Sequence, residues 1–402
     1  MRVSTNTIYD LGVNAIQQQQ AKMLHTQQQV SGGRRILTPA DDPVAAARAV
    51  EVSQSESVNA RYAANRGAAK DSLSLAEGVL QGVTGVIQDV RELALKAGNP
   101  VLTNSDRMSL AVELRGRFQE LLGLANSADG TGQYLFSGYQ GATQPFAQTP
   151  AGAQYAGDDG QRLVQVGASR QMAVSESGSV IFERIRTGNG TFSTAAGSAN
   201  SGSGIVSPGM VTDPASLTGH SYQIAFRVAG GTTTYDVLDT TLGTAVSSGN
   251  AYASGNAISF SGMRLEITGS PADGDTFAIA PSTNQSIFQT LNDLIGALEA
   301  PVSGQAASAR LSNGLTTALS NLDQGLDNVL GVRAAMGARL KELDSLQSTG
   351  EDLALQYQQT LSQLQDVDYA AAVSQLTQQQ TYLEAAQKSF LKVSGLSLFN
   401  YV

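Results

Sequence analysis

At 402 residues the chain is long enough for two or three domains of about 150 residues and for a sizeable buried core. Hydrophobic residues make up 41% and charged residues 15%, so charge alone gives no reason for disorder. Cysteine is absent and histidine occurs twice, at His25 and His220, which removes disulfides, thiolate nucleophiles, iron–sulfur clusters and Cys/His zinc sites, and leaves a Ser-His-Asp triad only two isolated histidines to build on.

The net charge is −9 and the pI is near 4.8. With only six lysines, this argues against a nucleic-acid or anionic-membrane surface, because both need clustered cations. Residues 1–145 carry 13 basic and 13 acidic groups, residues 146–284 carry 6 and 10, and residues 285–402 carry 6 and 11. The first third is neutral and the rest is acidic. The opening residues lack the apolar run of a cleavable signal, and no stretch approaches the roughly 18 apolar residues of a membrane span. The expectation is a soluble chain that, if exported, leaves by a route needing no cleaved signal.

In chain order, residues 4–31 predict a helix with Val13, Ile16, Met23 and Val30 on one face, stopped at Gly32-Gly33. Asp42 then reads as an N-cap with Pro43 at the first helical position. No proline falls between Val44 and Asn99. Leu73, Ala76, Leu80, Val83, Ile87, Val90, Ala94 and Ala97 step by three and four. After the caps at Asn104-Ser105-Asp106 the rhythm resumes at Ala111, Leu114, Phe118, Leu121, Ala125 and Ala128, which makes a helical hairpin. Residues 147–284 hold 20 of the 42 glycines from residue 151 onward, and alternate with period two: Tyr222, Ile224, Phe226 and Val228; Met263, Leu265 and Ile267; Val164 and Val166; Phe277 and Ile279. This predicts an antiparallel β domain inserted into a helical rod.

No proline follows Pro301, and a third stripe runs from Leu311 through Leu315, Ala318, Leu322, Val329, Val332, Met336, Leu343, Leu346, Leu353, Tyr357, Leu364 and Val367 to Ala371, failing at Gly325, Arg339, Gly350 and Thr360. As one helix it would be about 90 Å long, too long to bury its stripe on itself. Beyond Tyr369 the seam shifts to Val373, Leu376, Leu383, Phe390 and Val393, and ends in Leu396, Leu398, Phe399, Tyr401 and Val402. Glutamine tracts mark both terminal helices.

Catalytic chemistry finds little footing. Asp41/Asp42, Asp158/Asp159, Asp273/Asp275 and Asp366/Asp368 are paired carboxylates, but acid–base work needs two in different environments, and those in glycine-rich turns read as exposed turn residues. Gly188-Asn189-Gly190 follows no strand and opens no helix, so it reads as a turn. No catalytic, cofactor or metal site is predicted. The thin, glutamine-rich terminal seams instead read as surfaces for packing between chains. Their candidate interface residues are Ile8, Leu11, Val13, Ile16, Met23, Arg34, Arg35 and Asp41 near the start, and Leu376, Leu383, Phe390, Val393, Leu396, Leu398 and Phe399 near the end.

Gln29-Val30-Ser31-Gly32-Gly33-Arg34-Arg35-Ile36, Pro39 to Pro43, Val90-Arg91-Glu92-Leu93-Ala94 and the stretch from Asp366-Val367-Asp368-Tyr369-Ala370 to Leu396-Ser397-Leu398-Phe399 resemble bacterial flagellins and flagellin-like junction proteins. Asp42-Pro43, Ala125-Asn126, Tyr134-Leu135-Phe136-Ser137-Gly138-Tyr139, Gly274 to Phe277 and Asn284 to Phe288 are similar to the hook-associated protein 3 branch of that family. The resemblance implies a non-enzymatic structural subunit between hook and filament. It implies as partners hook-associated protein 1 on the hook side, flagellin on the filament side, further copies of the chain in a ring or short helical layer, and an export chaperone before secretion through the flagellar type III channel. The division expected is an assembly-core helix and connector at 1–43, helical rod at 44–146, β-rich outer domain at 147–284, helical rod at 285–368 and a second assembly-core helix at 369–402. Flagellin itself and a carbohydrate-binding β domain on a coiled-coil stalk stay open as alternatives.

Overall fold

The computed structural model describes residues 5–395. Among them are six α-helices: α1 (Thr5–Gly32), α2 (Pro43–Ala97), α3 (Asn104–Ala125), α4 (Ile287–Glu299), α5 (Gly304–Gln365) and α6 (Tyr369–Gly395). The strands all lie between α3 and α4, so the fold is mainly α with an inserted antiparallel β region. No helix among the described residues is long and apolar enough to cross a membrane. The chain divides into two compact units, one within Met1–Arg66 and Ser345–Val402, the other Gly67–Asp344.

In the first unit, α1 packs against α6, and the start of α2 lies beside the end of α5. Gly33, at φ +66°, ends α1 in the left-handed region where a side chain is strained. Asp42 caps α2 by accepting from the Ala45 amide at 3.0 Å. The stripe read as one helix through Ala371 is interrupted. α5 ends at Gln365, and residues 366–368 extend to pair with the connector: Arg34 bridges Asp366, Arg35 N–H donates to the Gln365 carbonyl at 2.6 Å, and Val367 N–H donates to the Gly33 carbonyl at 3.0 Å. Asp368 then caps α6 through the Ala371 amide at 3.1 Å. Exchanging helical for connector hydrogen bonds is a long-range effect that helical spacing cannot register.

The positions where the stripe fails have local causes. A Cβ at Gly350 would run into the Arg66 guanidinium, while Asn59 Nδ2 donates to the Gly350 carbonyl at 2.7 Å. In the second unit, a Cβ at Gly325 would lie 2.8 Å from Ile287 Cδ1, and Arg339 leaves the seam to pair with Glu176 at 2.6 Å. Thr360, in the first unit, turns its hydroxyl back to the Gln356 carbonyl at 2.8 Å.

The second unit is built on antiparallel helices. Lys70 meets Asp344, Glu77 meets Arg333 and Arg91 meets Asp323, each at 2.7 Å, so α2 ascends as α5 descends. Leu73, Leu80, Val83, Ile87, Val90, Leu114, Leu121, Leu322 and Leu343 are buried along this seam, as the spacing predicts. Thr103, one residue before the expected caps, closes α3 with a capping box to Asp106. The expected continuous segment from 285 divides at Ala300–Pro301, between the strongly amphipathic α4 and α5. Phe118, Phe146, Phe182 and Phe288 meet edge-on or tilted with centroids 5.1–5.9 Å apart, joining α3 and α4 to the β region. The Tyr134 to Tyr139 run sits at this junction. Its Leu135, Phe136 and Ser137 are buried, Phe136 packs on Phe182, and the Tyr155 hydroxyl donates to the Phe136 carbonyl at 2.9 Å.

The β region opens with two hairpins, β1 (Phe146–Thr149) with β2 (Gly152–Tyr155) and β3 (Leu163–Gly167) with β4 (Arg170–Ala173). β5 (Ile185–Arg186) leads to β6 (Phe192–Ala196), β7 (Ile205–Val206), β8 (Met210–Val211), β9 (Tyr222–Ala229), β10 (Thr232–Asp239), β11 (Thr244–Ala251), β12 (Ala257–Phe260), β13 (Met263–Thr268), β14 (Thr276–Pro281) and β15 (Asn284–Gln285). One sheet has the order β11-β10-β9-β14-β6; a second has β12-β13-β7, with β8 also on β13. β15 closes the region on β5. The period-two faces pack together as one core containing Phe192, Tyr222, Ile224, Phe226, Met263, Leu265, Ile267, Phe277 and Ile279. Val228 lies past its edge and is exposed.

Of the two carboxylate pairs expected in exposed turns, Asp159 and Asp273 are exposed and Asp158 is half-buried, while Asp275 departs from the expectation. Asp275 is buried and accepts from the amides of Ser201, Gly202 and Ala272, because the 197–204 loop folds back over it. Asp159 pairs with Arg184 and accepts from Ser177 and Ser179, while Asp158 accepts from the Tyr139 and Gly160 amides. Apart from the local amides of Ala272 and Gly160, these donors come from other loops, where sequence spacing could not place them. Gly188-Asn189-Gly190 is the expected turn, with the Asn189 side chain accepting from Thr191 and Phe192.

Candidate assembly surface

The terminal helices α1 and α6 run antiparallel. Tyr9 meets Phe390 edge-on with ring centroids 4.8 Å apart, and a Cβ at Gly12 would lie 2.5 Å from the same ring. At the other end, the Tyr369 hydroxyl sits 3.0 Å from where a Cβ on Gly33 would be. From Gly12 the partly covered positions Ile16, Met23 and Val30 follow at helical spacing, as do Leu376, Leu383 and Phe390 on α6. The seam is interrupted by polar side chains: Thr26 is buried, and Gln379 is 8% exposed with its Oε1 lacking a hydrogen-bond partner among the described residues. Polar groups inside an apolar seam fix register at a cost in stability.

This seam does not absorb all the apolar surface. Leu11 is 62% exposed, Leu391 68% and Val393 48%, and Tyr9, Leu24, Tyr369, Val373 and Tyr382 are also exposed. Val13 is partly buried. Ile8 lies in α1 with its side chain outside the described set, and Leu396, Leu398 and Phe399 lie outside the described residues. The apolar side chains fully buried in the first unit are all alanines, Ala45, Ala49 and Ala372, among the described residues. A pair of long helices carrying so little buried area is short of the packing that ordinarily holds helices in water.

The connector between α1 and α2 is fixed by its charges. Asp41 accepts from the amides of Leu37 at 2.9 Å and Thr38 at 2.8 Å and meets His25 Nε2 at 3.0 Å. The Thr38 amide is foremost in holding the Asp41 carboxyl below its ordinary value, with Leu37 and His25 adding to it against the effect of burial. Asp42 is lowered first by the Ala45 amide and then by Arg35. Arg35 reaches Asp42 Oδ2 at 3.2 Å and donates to the Leu364 carbonyl at 2.9 Å, tying the connector to the end of α5. Arg34 is exposed, and its guanidinium has no partner among the described residues. The structure therefore brings Arg34, Arg35 and Asp41 onto one connector but gives them different work: two hold the loop, and one faces outward.

Sequence reasoning did not single out Gly12, Gly33 or Asp366 to Asp368 as parts of this surface. Only Gly33 carried a local signal, as a helix stop.

The N-terminal helical region of bacterial flagellin matches residues 3–141. Flagellar hook-associated protein 3 of Escherichia coli K12 is 32% identical over 400 residues, covering 99% of each chain. The crystal structure of the flagellar junction protein FlgL from Legionella pneumophila is similar at a TM-score of 0.73 and 33% identity, covering 79% of this chain and 100% of that one. Phase 1 flagellin of Salmonella naestved is 28% identical over 138 residues, 34% of this chain and 27% of the flagellin.

Proposed function

The chain belongs to the flagellar hook-associated protein 3 family and is a structural subunit of the hook–filament junction of the bacterial flagellum, and we propose that its paired terminal helices and the 32–43 connector are the surface by which it assembles. The observation that carries this is the first unit's near lack of a buried apolar core beside its exposed Leu11, Leu391 and Val393. Neighbouring copies in a ring or short helical layer would cover those side chains. The family resemblance supports the order of contacts along the flagellum: hook-associated protein 1 on the hook side, flagellin on the filament side. The chain works by packing and not by catalysis, and reaches the extracellular flagellum through the type III channel after release by its chaperone. The flagellin likeness spans only a third of the chain, which favours junction over filament subunit.

Within this surface 1–43 and 369–402 form the assembly core, 44–146 and 285–368 the helical segments that carry it, and 147–284 the outer domain. Arg34 meets a carboxylate of a neighbouring subunit, while Arg35 and Asp41 hold the connector that presents it. Arg34→Glu should leave the circular dichroism and melting of the monomer unchanged and sharply reduce filaments per cell and swimming. Normal filament number in that strain would refute the role of Arg34.

A further inference from the structure

A groove of about 320 Å³ lies within the second unit, between the edge of the five-stranded sheet and helices α4 and α5. Its sheet side is β6, which pairs with β14 on one edge only. Gly197 N–H donates to the Thr276 carbonyl, so in this antiparallel register residues 193, 195 and 197 turn their polar backbone toward β14. Thr194 and Ala196 therefore turn theirs away from β14, and neither amide has a partner among the described residues; Ala196 lines the groove, and Thr194, 7% exposed, is the next such position along the strand. The helix side is closed at both ends, by Asn313 accepting from the Val206 amide at 2.9 Å and by Asn321 accepting from the Gly188 amide at 2.8 Å. The eight helical steps from Asn313 to Asn321 span about 12 Å, the length of three or four extended residues.

The chemistry of the walls narrows the occupant. Asn321 is 4% exposed and lines the groove, and its Nδ2 donates to no acceptor among the described residues. Arg310 is exposed, forms no ion pair among the described residues, and spends one nitrogen on the Asn200 carbonyl at 3.1 Å. Ala195, Ala196, Gly314 and Ala318 leave room only for small side chains, and no aromatic ring is present for a sugar to stack on. The one acid in the groove, Asp293, already accepts from Gln285 at 3.1 Å, and burial pushes its carboxyl above its ordinary value, which weakens its repulsion of an anion.

We propose that this groove binds a short extended peptide segment, of small residues around one acidic residue, that adds to the free edge of β6 and sets its carboxylate against Arg310. The backbone edge supplies affinity, and Arg310 with the small walls supplies selection. The site is separate from the terminal-helix surface and does not depend on how that surface assembles.

The test uses the full chain and a positional-scanning library of acetylated, amidated tetrapeptides, read by surface plasmon resonance. Pools with Asp or Glu between Ala, Ser or Gly should bind saturably. Thr317→Trp, which fills the groove from an exposed helix position, should weaken them at least about tenfold, and Arg310→Gln about tenfold for acidic pools alone. The selected peptide should also slow amide exchange at residues 194–196 of the unsubstituted protein, a readout that does not rely on any variant folding. Arg34→Glu should leave peptide binding intact, which separates this site from the assembly surface. Absence of saturable binding by every pool, binding unaffected by Thr317→Trp, or unchanged exchange at 194–196 would each overturn the proposal.

Discussion

Asp41 and Asp42 differ by one position and do different work. Asp42 caps α2; Asp41 gathers two amides and His25 to shape the connector. Both carboxyls are held below their ordinary value, so their contribution is complete above about pH 4 and fades as pH falls through the lowered native values. Amide exchange at Leu37 and Thr38 should therefore stay slow from neutral pH down to that region and quicken below it, after correction for the intrinsic pH dependence of exchange. In Asp41→Asn the pH-linked step should vanish; a step unchanged in that variant would remove Asp41 from the account. Gly12 makes a steric counterpart. A valine there must displace the Phe390 ring, so Gly12→Val should increase trypsin cleavage at Lys388 and Lys392 without altering protection of the second unit.

At the scale of elements, the sequence was most legible where packing repeats. The three-four stepping of Leu73 to Ala97 and the alternation of Tyr222 to Phe226 correspond to buried faces because each residue there meets the same kind of neighbour as the last. It was least legible where one residue answers a distant one. The end of α5 at Gln365 depends on Gly33 and Arg35, the burial of Asp275 on a loop some seventy residues earlier, and the glycine at 350 on Arg66. The candidate surface was legible as two thin seams, but the division of labour among Arg34, Arg35 and Asp41 was not, since it rests on the Leu364 carbonyl and on His25. The α3 seam gives a direct measure of packing. Phe118 is 5% exposed and stacks edge-on with Phe288 at 5.7 Å, so Phe118→Ala should cost about 3–5 kcal/mol in chemical denaturation. A loss below about 1 kcal/mol would mean that the aromatic cluster does not hold α3 against α4.

For the whole molecule, the decisive contrast is in how apolar area is distributed. The second unit buries leucines, isoleucines and phenylalanines in both its helical seam and its β core, whereas the apolar side chains that the first unit fully buries are all alanines among its described residues. Stability follows buried area more than helix length, so the two units should not melt as one. Calorimetry of the isolated monomer should resolve a weak transition at lower temperature from a main one above it. Leu80→Ala, at a fully buried position, should cost about 2–5 kcal/mol and shift the upper transition alone. Phe390→Ala should affect only the lower one, where the ring bridges Tyr9 and Gly12. If assembly supplies the missing cover, incorporation into the junction should raise the lower transition toward the upper, because a partner that binds only the folded state stabilises it. A single transition in the monomer, shifted equally by both substitutions, would show that the first unit draws its stability from within the chain.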